Sequence, residues 1–148
     1  MDPWTHPDLV GDAFSTGPPY NRKLASYHSL HRILPSAACF NVLAHNRDDH
    51  VKNFLFLLNA GNEWVFAPTY DLVFSYGPGG EQSMLVMGEG RNPGTAQLQA
   101  LGKQHGIRNA LEILAKVKRA VANWPRFAEL ADVSRKSTKE IADKIKLQ

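Results

Sequence analysis

The chain predicts an α+β domain, mostly helical, and three observations lead there. Ile107, Leu111, Leu114, Val117, Val121 and Trp124 recur three or four positions apart, the spacing of one face of an α-helix. Residues 54–58 and 64–67 are short apolar runs separated by Asn59-Ala60-Gly61-Asn62, turn chemistry that joins two antiparallel strands. With 148 residues and 43% hydrophobic content, the chain can bury one ordinary core, so a single domain over residues 1–148 is expected.

The elements follow in order. Residues 1–22 carry Pro3, Pro7, Gly11, Gly17, Pro18 and Pro19 and read as an extended lead-in. Residues 23–73 hold a helix, a polar loop and the hairpin. Leu24, Tyr27, Leu30 and Leu34 keep helical spacing, Pro35 is expected to break that helix, and a second piece runs through Ala38, Val42 and Leu43. Residues 74–94 are a glycine-rich excursion with Gly77, Gly79, Gly80, Gly88, Gly90 and Gly94. Within it, residues 88–93 resemble a phosphate loop, but Pro93 stands where the third glycine belongs, so a flexible insertion is the better reading. Residues 95–148 form a helical subdomain. Thr95 is expected to cap a short helix, Gly106 to precede the long one and Pro125 to close it. Ser137 with Glu140 forms a capping-box pattern before Ile141 and Ile145.

Composition narrows the function. Charged residues at 21% and a mean hydropathy of -0.32 describe a soluble globular protein. The net charge of +3 permits contact with nucleic acid or nucleotide phosphates without demanding it. The single cysteine, Cys39, sits among apolar residues; it allows no intrachain disulfide and reads as core. Residues 1–8 lack the pattern of a signal peptide, and the longest apolar run, 54–58, is too short to cross a bilayer. A cytoplasmic location is expected.

The chemistry concentrates in residues 46–53 and 68–71. An Asp (Asp48), an Asn five positions on (Asn53) and a second Asp after the hairpin (Asp71) form the spacing by which protein kinases hold a hydroxyl nucleophile and magnesium around a phosphoryl group. Asp48 suits the role of orienting the hydroxyl and accepting its proton. Asn53 and Asp71 offer hard oxygen ligands for Mg2+, and Lys52 is a cation for the charge that develops on the phosphoryl group. His50 sits beside them as a brace of the loop. Each residue alone could be an ordinary turn residue, cap or solvated charge; the combination carries the reading.

Residues 40–53, Phe-Asn-Val-Leu-Ala-His-Asn-Arg-Asp-Asp-His-Val-Lys-Asn, resemble the catalytic loop of HipA-type serine/threonine kinases, the toxins of bacterial toxin–antitoxin pairs. Residues 67–73, Ala-Pro-Thr-Tyr-Asp-Leu-Val, resemble the same family's metal-binding segment, and residues 8–14 and 87–93 are similar less specifically. The resemblance implies a protein-kinase-like C-terminal lobe with Asp48 as the catalytic Asp and Asn53 and Asp71 as metal ligands, Lys52 and His50 standing beside them. It implies Mg2+ and ATP as cofactors and transfer of the γ-phosphate to a protein serine. A HipB-like antitoxin with its operator DNA, and an aminoacyl-tRNA synthetase as substrate, are the implied partners.

A glycine-rich phosphate cover and a strand lysine have no counterpart in residues 1–47, so the N-terminal lobe is expected to be absent. The chain would then be a C-terminal portion, one subunit of a split enzyme whose N-terminal lobe is a separate polypeptide, or a residual binding module, with little kinase activity alone. Two other classes stay open. His45, Asp48, Asp49, His50 and Asp71 could bind a transition metal for phosphohydrolysis, although no partner emerges from His6, His28, His31 or His105. A non-catalytic interaction module could use the 107–124 stripe or the basic residues Arg135, Lys136, Lys139, Lys144 and Lys146, which Glu140 and Asp143 interleave.

Overall fold

A computed structural model describes residues 27–62 and 64–145, with side chains from Pro35 onward. The expected lead-in, Lys23, Leu24 and the side chains of Tyr27, Leu30 and Leu34 lie outside that description, as does Lys146. The first helix, α1, is Tyr27–Leu43. A two-stranded antiparallel sheet pairs β1, Phe56–Leu58, with β2, Trp64–Phe66, in the register Phe56–Phe66, Leu57–Val65, Leu58–Trp64. Four helices follow: α2, Thr95–Gln104; α3, Ala110–Ala122; α4, Trp124–Leu130; and α5, Arg135–Ala142. The result is a helix-rich α+β arrangement, as the sequence predicts. No helix among the described residues is long and apolar enough to cross a membrane.

Several boundaries differ from expectation. Pro35 lies inside α1 and does not divide it. Proline removes one backbone donor, and α1 continues because its C-terminal half is anchored by buried Ala38, Cys39, Val42 and Leu43. Pro125 does not close the long helix; it occupies the first turn of α4, where its missing N–H costs nothing. Thr95 is the first residue of α2 rather than its cap, and Gln97 Oε1 accepts from the Gly94 N–H at 3.1 Å. The cap of α5 is Ser134, which accepts from the Ser137 N–H at 3.1 Å, so Ser137 is the recipient of a cap and not its source.

The core forms where α1 crosses α2 and α3. Cys39, Val42 and Leu43 meet Leu98, Ile113, Leu114 and Val121, with Val86 reaching in from the glycine-rich segment. The predicted stripe is offset: Leu111 is 67% exposed and Ile113 takes an inward position instead. Gly102 lets α2 and α3 approach closely, because a Cβ there would stand 2.6 Å from the Ala110 Cβ. A smaller cluster, Ala37 and Phe54 with Phe66 and Met84, seats the hairpin on α1.

The glycine-rich excursion is tied down along its length. Gln82 N donates to Gly90 O at 2.8 Å, and Ser83 N donates to Arg47 O at 3.0 Å. Within residues 88–93 the backbone N–H groups of Arg91 and Asn92 donate to the Glu89 carboxylate at 2.7 and 2.9 Å. The segment thus supplies its own anion where a phosphate would sit.

Candidate active site

The polar loop begins where α1 ends. His45 turns the chain with a left-handed φ of 59°, and Asn46 then forms a parallel bridge with Ser75. Ser75 N donates to His45 O at 3.0 Å and Arg47 N to Ser75 O at 3.3 Å. These bonds lash the loop to the chain just beyond Asp71. The His45 ring stacks on Phe74 with centroids 5.4 Å apart, which seals the same junction.

A second set of contacts holds the loop from the other side. Arg47 donates through its guanidinium to the carbonyls of Gly80 and Arg91. Gly77 makes this wrapping possible: its φ is +69°, and a Cβ would fall 2.7 Å from the Arg47 Cβ and 2.2 Å from the Glu81 carbonyl. Asp49 is 3% exposed, and its Oδ1 accepts from the Met84 N–H at 3.1 Å. Burial pushes its carboxyl above the usual Asp range, while hydrogen bonds from the Gln82 side chain and from backbone N–H groups oppose the shift.

A short 3-10 turn, Val51–Asn53, presents the end of the loop. Asn53 N donates to His50 O at 3.0 Å, and Asn53 Nδ2 donates to the Asp48 carbonyl, also at 3.0 Å. Asn53 thus commits its amide nitrogen to the loop. The Tyr70 hydroxyl donates to the Lys52 carbonyl and joins the segment after β2 to the turn. Asp71 adopts a left-handed φ of 54°, and its carbonyl accepts from Asn46 Nδ2 at 3.4 Å.

Asn53 and Asp71 therefore line one small cleft, which Asn41, Asn46, Thr69 and Tyr70 share with the apolar Ala37, Phe54 and Leu72. Asp48 is half-buried and reaches this group through its carbonyl. Lys52 is exposed, and His50 is half-buried with an Nδ1 that has no hydrogen-bond partner. Neither lines the cleft. The brace expected of the His50 side chain is supplied by Asp49.

Sequence reasoning passed over Asn41, Asn46, Arg47 and Gln82, which organise the loop. Asn41 did carry a signal: a polar residue inside the apolar run Phe40, Val42 and Leu43 has to find a buried partner. Gln82 and Arg47 carried none, because their partners are backbone groups far along the chain. Among the described residues, no three His, Cys, Asp or Glu side chains gather as a metal cluster. An oxygen set of one carboxylate and amides suits Mg2+, which keeps several waters and takes one or two carboxylates, better than Zn2+, which favours His and Cys.

The family described as the HipA-like C-terminal domain matches residues 21–124, a span that contains the loop, the hairpin, the cleft and the α1–α3 core. No curated protein and no solved structure matches the chain. A match over more than two thirds of the sequence, centred on this cleft, makes the chain a member of the HipA-like C-terminal domain family.

Proposed function

We propose that this chain is the C-terminal catalytic portion of a HipA-type serine/threonine kinase, with a protein-kinase-like helical lobe. The observation that carries this reading is the shared cleft of Asn53 and Asp71, brought together from the two ends of the hairpin. Asn53 and Asp71 would hold Mg2+, which when bound to ATP neutralises phosphate charge. Asp48 orients the serine hydroxyl and accepts its proton, and the tie from Asn53 to the Asp48 carbonyl couples that residue to the metal ligands. Lys52, exposed at the loop's edge, offers its ammonium to the transferred phosphoryl group. His50 stands beside the nucleotide site. The substrate is a protein serine, and the catalytic unit is completed by an N-terminal lobe that covers the nucleotide.

Nucleotide binding tests the reading on the chain itself. A fluorescent ATP analogue should bind in an Mg2+-dependent way, and Asp71→Asn or Asn53→Ala should weaken that binding about tenfold or more. Asp48→Asn should leave binding intact and, with the N-terminal lobe supplied as a separate polypeptide, abolish transfer of the γ-phosphate to serine. Nucleotide binding that ignores both Mg2+ and Asp71 would sink the assignment.

A further inference from the structure

Side chains alternate along residues 82–87. Gln82 and Val86 are buried and Met84 is half-buried, while Ser83, Leu85 and Met87 are exposed, the period of an extended chain covered on one side only. The inward side chains are anchored. Gln82 Nε2 donates to Asn46 O at 2.8 Å, Met84 packs against the cluster of Ala37 and Phe54, and Val86 enters the main core. The backbone is tied to the polar loop as well, Ser83 N donating to Arg47 O at 3.0 Å and Met84 N to Asp49 Oδ1 at 3.1 Å. Leu85 is nonetheless 64% exposed, and its Cδ2 lies over Gly90, where a Cβ would fall 2.7 Å away.

This row stands beside Asp48, because the two backbone ties go to the residues on either side of it. Asp49 and Gln82 also share a side-chain hydrogen bond on the buried side. Neither segment is helical, and neighbours in extended chain take opposite sides, so Asp48 and Ser83 turn together toward the outer side. Leu85, two residues beyond Ser83, then lies on the order of 10 Å from Asp48 at about 3.3 Å per residue. The charges bordering the row are matched within the chain. Arg91 Nε pairs with Glu81 Oε1 at 2.7 Å, and the Glu89 carboxylate accepts from the Arg91 and Asn92 N–H groups. What the row offers a partner is one hydroxyl and two apolar side chains. A single exposed leucine is ordinary on any surface; this one stands on an anchored backbone beside the loop that receives the serine. We propose that Ser83, Leu85 and Met87 read the substrate polypeptide, with Leu85 the specificity-determining residue that receives an apolar side chain two or three positions from the target serine. A polypeptide whose serine reaches Asp48 extends past it at about 3.3 Å per residue, which carries a side chain at that separation over Leu85. This rests on the reading of the chain as a serine kinase and adds to it the class of sequence the site accepts.

Peptide binding by the 148-residue chain tests it, with Mg2+ and a non-hydrolysable ATP analogue present. The probes are short fluorescent peptides with one serine in a Gly-Ala background, carrying Leu, Asp or Lys at that same separation from it. The Leu peptide should bind about tenfold more tightly than the Asp peptide. Leu85→Asp should abolish that preference and favour the Lys peptide, while Leu111→Asp, exposed on α3, should leave it unchanged. Both variants should keep the circular dichroism spectrum of the unaltered chain, since neither side chain is in the core. A second measurement needs no variant. The backbone amide signals of residues 83–87 should move with the Leu peptide and stay in place with the Asp peptide at the same concentration. If the ATP analogue does not bind, or binds without regard to Mg2+ and Asp71, the kinase reading falls and this inference with it. If the analogue binds as that reading requires while the peptides bind equally or not at all, the inference about residues 83–87 alone is overturned. A preference that survives Leu85→Asp, or amide signals that never move, would overturn it in the same way.

Discussion

Asp49 and Cys39 are two buried titratable side chains that do opposite things for the loop. Cys39 packs in the core, and burial pushes its thiol up to about 11 from an ordinary 9.0. The folded chain should therefore resist alkylation at pH 8, and a thiol reagent should label Cys39 only as fast as the protein unfolds; rapid labelling without unfolding would contradict its placement. Asp49 is buried to hold the Met84 backbone, and its carboxyl is raised above the ordinary 3.8. A raised value in the folded state means that the fold favours the protonated acid. The contribution of Asp49 is fully present below pH 3.8 and is lost as pH rises through the raised value. Asp49→Asn keeps an oxygen for the Met84 N–H and removes the charge. Its stability relative to the unaltered chain should improve from about pH 4 upward and then level off, as urea unfolding at a series of pH values would read. A difference that does not vary with pH would mean that Asp49 is not buried as an acid.

At the scale of elements, the loop is only as well placed as the helix that delivers it. Leu43 is fully buried at the end of α1, two residues before the left-handed turn at His45. Leu43→Ala should cost about 2–5 kcal/mol of unfolding free energy, measured by denaturant titration. Leu111→Ala, on the 67% exposed side of α3, should change it by less than about 0.5 kcal/mol. Equal effects would mean that the core is not where α1 meets α3. The contrast also explains what could be read from residues alone. The hairpin was legible because its turn and its apolar runs are local signals, and the hairpin in turn brings Asn53 and Asp71 to one cleft. The continuity of α1 through Pro35 was not, since the packing that overrides the proline comes from residues 98–121. The stripe of α3 was misaligned at Leu111 for the same reason: periodicity names a face, and only the partner helix decides which residues centre it. The hydrogen bonds that join Asn46 to Asp71, Arg47 to Arg91 and Asp49 to Met84 escaped because 25 to 44 positions separate the partners.

At the scale of the whole molecule, the segment beyond the family match is joined to the site. The family match ends at residue 124, yet the Trp124 indole N–H donates to the Thr138 carbonyl at 2.9 Å and so ties α5 to the start of α4. The Tyr76 hydroxyl donates to Glu140 Oε1 at 2.5 Å, Lys144 Nζ lies 6.0 Å from the Tyr76 ring centroid, and Ile145 packs on the main core. Tyr76 follows Asp71 by five residues and shares an edge-to-face contact with Phe74, which itself stacks on His45. A chain of contacts thus runs from α5 through Tyr76 and Phe74 to the turn that opens the polar loop. Ending the chain after Val133 would expose core surface under Ile145 and leave the Trp124 donor to solvent. Roughly 1 kcal/mol for the half-buried Ile145 and about the same for the indole hydrogen bond give a loss of about 2 kcal/mol. Denaturant unfolding followed by tryptophan fluorescence would measure it, and the backbone amide signals of residues 71–76 should shift in the shortened chain. If the shortened chain unfolds at the same midpoint with those signals unmoved, α5 is an appendage and the contacts from Glu140 to His45 transmit nothing to the loop.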